Sequence, residues 1–214
     1  ADYCKTNKSK AIGLADSYNL CGALEFADKI SKVGTQPIIG TQINILVDNE
    51  IGKITLYATS EKGYKNLTKL SSISYLKNKN SHDPYCKIDD LISNNEDLIL
   101  LTGSYNNFFG RLFYANKLKL IEKLIEKIKS YFKDRLYIEI QRHGEKQEAN
   151  YENYLLKLSS LYSLPIIAAQ EVYYLDPSMA EAHDALICIG EKQFIDDRNR
   201  FRYSDQHYFK KNTE

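Results

Sequence analysis

Short apolar runs bounded by polar turns alternate along this chain with longer stretches in which apolar residues recur every three or four positions. The runs predict strands over 11–14, 38–47, 54–58, 98–102, 136–140 and 165–168, and the longer stretches predict helices over 21–33, 61–76, 106–131, 146–162 and 177–189. A short helix over 2–7 comes before them. The clearest stripe is Leu118, Ile121, Leu124, Ile125 and Ile128, with Lys and Glu filling the opposite face. It is too short to sustain heptads, so it reads as an outer helix covering a sheet rather than a coiled coil. Strand and helix in alternation imply an α/β domain with parallel strands over residues 1–192. Residues 77–87 are polar and turn-rich and read as an exposed loop, where His82 is a surface histidine before it is a metal ligand. Residues 193–214 have no period and read as an irregular segment leading into a following domain.

Composition narrows this picture without redirecting it. With 214 residues, 43% hydrophobic and 27% charged, the chain can bury a substantial core. Lys+Arg 29 against Asp+Glu 28 leaves a net charge of +1, which disfavours a stand-alone nucleic-acid binder, although a local basic patch stays open. Cys4, Cys21, Cys86 and Cys188 form no CxxC pair, a usage that fits reduced thiols in a bacterial cytoplasm. No apolar run approaches the roughly 20 residues that a membrane span needs, and no charged leader precedes an apolar segment, so a cytoplasmic protein with no membrane partner is expected. The chain starts at Ala1 without methionine, and a piece of a longer protein is expected.

In a parallel β/α barrel, the side chains that do chemistry stand at the C-terminal ends of the strands. Here those positions are Asp16 and Ser17, Thr41 and Gln42, Gly103 and Ser104, residues 141–143, and residues 170–173. A phosphoesterase on such a frame needs His, Asp and Glu clustered there to hold two or three divalent ions. This mouth is short of them. Arg142 and His143 form a polar cluster at the mouth, read as a network that ties loops together. His183 and Asp184 are adjacent on a helix and point different ways, and His207 reads as a surface or domain-interface residue. The chain has no P-loop, dinucleotide fingerprint or hydrolase elbow.

The line from Ala11-Ile12-Gly13-Leu14-Ala15-Asp16-Ser17 through Cys21-Gly22-Ala23-Leu24-Glu25-Phe26 to Gln36-Pro37-Ile38-Ile39-Gly40-Thr41-Gln42 resembles the PHP (polymerase and histidinol phosphatase) domain of bacterial DNA polymerase III alpha subunits. Glu61-Lys62-Gly63-Tyr64-Lys65-Asn66-Leu67, the run from Tyr137 through Gln141-Arg142-His143-Gly144, and Ala180-Glu181-Ala182-His183-Asp184-Ala185-Leu186 continue the likeness in family order. The resemblance implies an α/β fold, a distorted TIM-like barrel of seven strand-and-helix units. The family's first strand, with its His-x-His pair, would lie before Ala1, so residues 1–192 would be the barrel without that strand.

The resemblance also implies which positions once held metal. Asp16 matches the family's aspartate, whereas Ser17 stands for a histidine and Gln42 for a glutamate. Ser104 falls where a cysteine or histidine is frequent, Lys53 lies near a further histidine position, and Glu171 and Tyr173 stand at aspartate and histidine positions. Serine and amide oxygens are weak, uncharged ligands. The resemblance therefore implies a degenerate site with no catalytic residue and no metal in this domain. By the same likeness the parent is a DNA-directed DNA polymerase using Mg2+ in a separate domain, and this domain docks the proofreading exonuclease subunit within the replicase. The rival is an active metal-dependent phosphoesterase or 3'-5' exonuclease.

Overall fold

A computed structural model of the chain describes residues 1–77 and 83–210, so His82 lies outside the described residues. In chain order the elements are α1 (Asp2–Thr6), β1 (Ala11–Ser17), α2 (Ala23–Ser31), β2 (Gln36–Val47), β3 (Glu50–Ala58), α3 (Glu61–Leu76), β4 (Tyr85–Lys87), α4 (Ile88–Ser93), β5 (Leu98–Leu101), α5 (Phe108–Tyr114), α6 (Leu118–Phe132), β6 (Leu136–Ile140), α7 (Glu148–Tyr162), β7 (Ile166–Ala168) and α8 (Ala180–Glu191). The strands make one sheet in the order β1-β2-β3-β5-β6-β7, and β4 pairs with β2. Since β3 takes one edge of β2 from Gly40 to Val47, β1 and β4 share the other edge.

The expectation of uniformly parallel strands fails at β3, which runs antiparallel to both β2 and β5. Its cause is local. Val47 and Glu50 face each other across the two residues Asp48 and Asn49, both left-handed with φ of 47° and 65°. That backbone is the tight hairpin turn whose twist matches its flanking strands, and Asp and Asn tolerate it better than most residues. The other ladders, β1 with β2, β2 with β4, β5 with β6 and β6 with β7, are parallel.

Two further differences have equally local reasons. The helix expected over 106–131 is two, because Asn116 adopts φ 56° after α5 and the chain restarts at α6. The loop expected over 77–87 ends in β4, where Cys86 is buried, and α4 follows at once with Ile88 and Leu91 buried. The α6 stripe behaves as its spacing demands. Ile121, Leu124, Ile125 and Ile128 are buried, with Phe132, in one core that also holds Ile43, Ile45, Ile54, Leu56, Leu98 and Leu100 of the sheet.

The ends of the strand order, β1 and β7, are joined by no ladder among the described residues, yet the sheet curls enough for them to share a space. All of β1 and residues 169–173, just beyond β7, line one cavity of about 590 Å3. Tyr57 of β3 lies inside this curl, close against β1 and β2. A Cβ on Gly40 would stand 2.4 Å from the Leu56 carbonyl and 2.5 Å from the Tyr57 ring, and one on Gly13 would stand 3.2 Å from that ring. Glycine at both positions is what lets the ring in.

Candidate functional site

The end of β1, the middle of β2, and the residues at and beyond the ends of β6 and β7 converge on the cavity. Asp16 pairs in register with Thr41, and Ser17 with Gln42. Register partners on parallel strands point to the same side, so the serine and the amide meet, and Ser17 Oγ donates to Gln42 Oε1 at 2.9 Å. The Thr41 hydroxyl is buried between the carbonyls of Asp16 and Asn19, at 2.9 and 3.0 Å. Asp16 lines the cavity and leans toward Gly22 at the start of α2. Lys53 is turned toward the ring of Tyr18, 6.0 Å from its centre.

The opposite wall is built by β6. Glu139, 4% exposed, accepts from Gln141 Nε2 at 2.6 Å, and its Oε2 has no hydrogen-bond partner among the described residues. Burial pushes its carboxyl up to about 7, aided by the charge of Glu171 and opposed by the Gln141 amide and the Gly103 N–H. Tyr57 is pushed up to about 12 by burial and by Glu139. Sequence reasoning did not single out Glu139. The signal was there, a carboxylate between Ile138 and Ile140 in a strand with no solvent face.

Arg142 and His143, read together as one cluster, part company. Arg142 turns outward and grips Glu152 of α7 with Nε and Nη2, at 3.0 and 2.6 Å. His143 is buried, with Nδ1 3.2 Å from Glu148 Oε1 and Nε2 accepting from the Glu171 N–H at 3.3 Å. Burial, then the neighbouring His207, holds its pKa below the ordinary imidazole value. His207 is a correction to the surface reading, being 4% exposed and stacked on His143 with ring centres 4.0 Å apart. An aperiodic segment carries no burial signal, so its sequence could not show this. Tyr173 donates toward Tyr203, its hydroxyl 3.1 Å from the other, and burial followed by the Glu171 charge raises its pKa strongly.

Asp16, Ser17, Gln42, Glu171 and Tyr173 thus share one cavity, together with Glu139, Gln141 and Lys210. Ser104 does not join them there. It sits 3.4 Å from Asn107 Oδ1 and lines a smaller space with His143, Glu171, Tyr203 and His207. The donor set does not fit a multinuclear metal centre. Ser17 and Gln42 are spent on each other, Tyr173 on Tyr203, and no three His, Cys, Asp or Glu side chains converge in metal-binding geometry among the described residues.

A family profile described as the PHP domain matches residues 1–143. The chain belongs to the PHP domain family. As a PHP domain it is similar to the DNA polymerase III subunit alpha of Caulobacter vibrioides, 35% identical over 214 residues, which covers 95% of this chain and 18% of that protein. The alpha subunits of Rickettsia bellii and Escherichia coli are 36% and 31% identical over 208 residues each, again across 18% of their length. This PHP domain therefore spans less than a fifth of the curated relatives it matches. A solved structure from Bifidobacterium adolescentis, named for a suspected metal-dependent phosphoesterase, aligns with a TM-score of 0.46 at 9% identity over 79% of each chain. No helix of the PHP domain is long and apolar enough to cross a membrane, among the described residues.

Proposed function

We propose that this PHP domain is a non-catalytic scaffold of a replicative DNA polymerase III alpha subunit, and that it docks the proofreading exonuclease subunit. Homology to alpha subunits along nearly the whole chain supports the replicase context. The observation that carries the scaffold reading is the Ser17–Gln42 hydrogen bond, because two positions at which the family resemblance expects metal ligands here satisfy one another. The remaining carboxylates, Asp16, Glu139 and Glu171, form no metal-binding cluster of three among the described residues. Polymerisation, with its Mg2+, belongs to the parent protein outside this domain, in the cytoplasm.

The test is binding. The full-length polypeptide that contains this domain should co-elute with the exonuclease subunit at micromolar concentration, corresponding to at least about 8 kcal/mol of association free energy. The same polypeptide with residues 1–210 deleted should not. Equal co-elution of the two would overturn the docking role. Hydrolysis of single-stranded DNA or a phosphate ester with added manganese or zinc, abolished by Asp16→Asn, would favour the active-enzyme reading instead.

A further inference from the structure

We propose that the stacked rings of His143 and His207 form a proton-sensitive latch, which fastens residues 203–210 across the barrel mouth while both rings are neutral and frees them when either gains a proton. The strap is fixed to the mouth by main-chain bonds. Tyr173 N–H donates to the His207 carbonyl at 2.9 Å and Phe209 N–H to the Tyr174 carbonyl at 3.0 Å. Ser204 Oγ donates to the His143 carbonyl at 2.5 Å and Gln170 Nε2 to the Gln206 carbonyl at 3.0 Å. Between these bonds the imidazoles lie face to face, with planes 2° from parallel.

The hydrogen bonds fix the tautomers. Both oxygens of Glu148 already accept, taking the main-chain N–H groups of His143, at 2.8 and 2.9 Å, and of Glu145 at 3.1 Å. His143 Nδ1 must therefore carry the hydrogen that faces it. His143 Nε2 accepts from the Glu171 N–H, so it carries none. His207 Nδ1 lies 3.0 Å from the Glu171 carbonyl and so donates. One peptide unit pair at Glu171 thus holds both rings, one by its N–H and the other by its C=O. A proton added to His143 can go only to Nε2, where it would set a donor against a donor. A proton added to His207 puts a positive charge directly over the His143 ring in a buried space.

The surroundings offer little to offset that charge. Glu148 of α7 faces His143 but is committed to Nδ1 and two amides, and Glu145 accepts from Ser204 N–H at 3.3 Å. From the loop after β7, the Glu171 side chain bears on Tyr173. Tyr173 and Tyr203 stand 5.2 and 5.0 Å from the His207 ring, and His183 of α8 stacks on Tyr173, adding a third imidazole. Tyr105 lines the same space, Lys210 bears on His143 as a cation, and Arg142 is turned away to Glu152. Upstream the chain is pinned by Arg200, whose buried guanidinium grips both oxygens of Asp184. Release therefore stops at that anchor, and the part of the mouth with Ser104 opens.

The experiment is hydrogen exchange on the full-length polypeptide at pH 7.5 and 5.5, corrected for intrinsic rates. Protection of the Tyr173 and Phe209 amides should fall about ten-fold or more at the lower pH, while that of Ile138, bonded to the Pro165 carbonyl, stays level. The double variant His143→Gln, His207→Gln keeps a donor for the Glu171 carbonyl and an acceptor for the Glu171 N–H and has no ring in the stack to protonate, so protection there should be equal at both pH values. Unchanged protection in the natural protein, or an equal fall in the variant, would overturn the latch. Should the variant fail to fold, the ring nitrogen shifts of the natural protein decide. A bare His143 Nε2 at pH 7.5, and protonation of either ring in step with loss of protection, supports the latch, whereas a strap that loosens over neutral rings refutes it.

Discussion

Glu139 makes stability depend on pH in the direction opposite to that of most carboxylates. Its pKa rises from an ordinary 4.5 to about 7 in the folded protein, because burial disfavours the charge. Between those values the folded state holds a proton that the unfolded state has released. Its contribution is therefore complete below 4.5 and is lost as pH rises through 7, a change on the order of 3 kcal/mol. Glu139→Gln should remove this slope. Urea unfolding should show the variant more stable than the natural protein at pH 8, by roughly 1–3 kcal/mol, and about equal to it at pH 4. A natural protein no less stable at pH 8 than the variant would count against a buried carboxyl. His143 acts the other way, since a lowered folded pKa means stability kept above the ordinary 6.5 and lost as pH falls below it. At this scale Ser17 was legible, because it closes the first strand, whereas Gln42 was read as a strand end and stands in the middle of β2, in register with Ser17. His207 was not legible, because its burial depends on a loop folding back from the chain's far end.

Among the elements, β6 and α3 were legible to the residue. Each is long or apolar enough for its period to stand out, and Ser60 caps α3 by accepting from Gly63 N–H. The direction of β3 was missed, although Asp48 and Asn49 between two apolar runs are a hairpin signal, because the α/β alternation argued for parallel strands. β4 was missed because three residues are too few to show alternation. The union of α5 and α6 failed at Asn116, a residue whose left-handed conformation is a choice, not a necessity. Packing between elements is close where Tyr57 crosses β1 and β2. Gly40→Ala would press a methyl group into the Leu56 carbonyl and the Tyr57 ring, and should destabilise the domain by about 1–3 kcal/mol. An unchanged urea midpoint would show that the sheet can relax around the ring.

For the molecule as a whole, the curl of the sheet gathers Asp16, Ser17, Gln42, Glu171 and Tyr173 into one mouth, where Ser17 bonds to Gln42 and Tyr173 to Tyr203. The fold was legible in the sequence, from the strand-and-helix alternation, and Ser17, Gln42 and Tyr173 are the residues on which the proposal of a degenerate site rests. The strap was not legible, because nothing periodic announces it. Divalent-metal content is the most direct test of the central claim that this mouth is a scaffold and no longer a metal centre. Elemental analysis of the full-length polypeptide, after dialysis, should compare it with the same polypeptide lacking residues 1–210, which subtracts metal held elsewhere. The difference should be below about a tenth of an equivalent of zinc or manganese, since a multinuclear site with charged ligands retains its metals through dialysis. A difference of about two equivalents or more would contradict the scaffold account and make a phosphoesterase or exonuclease the better reading of the mouth.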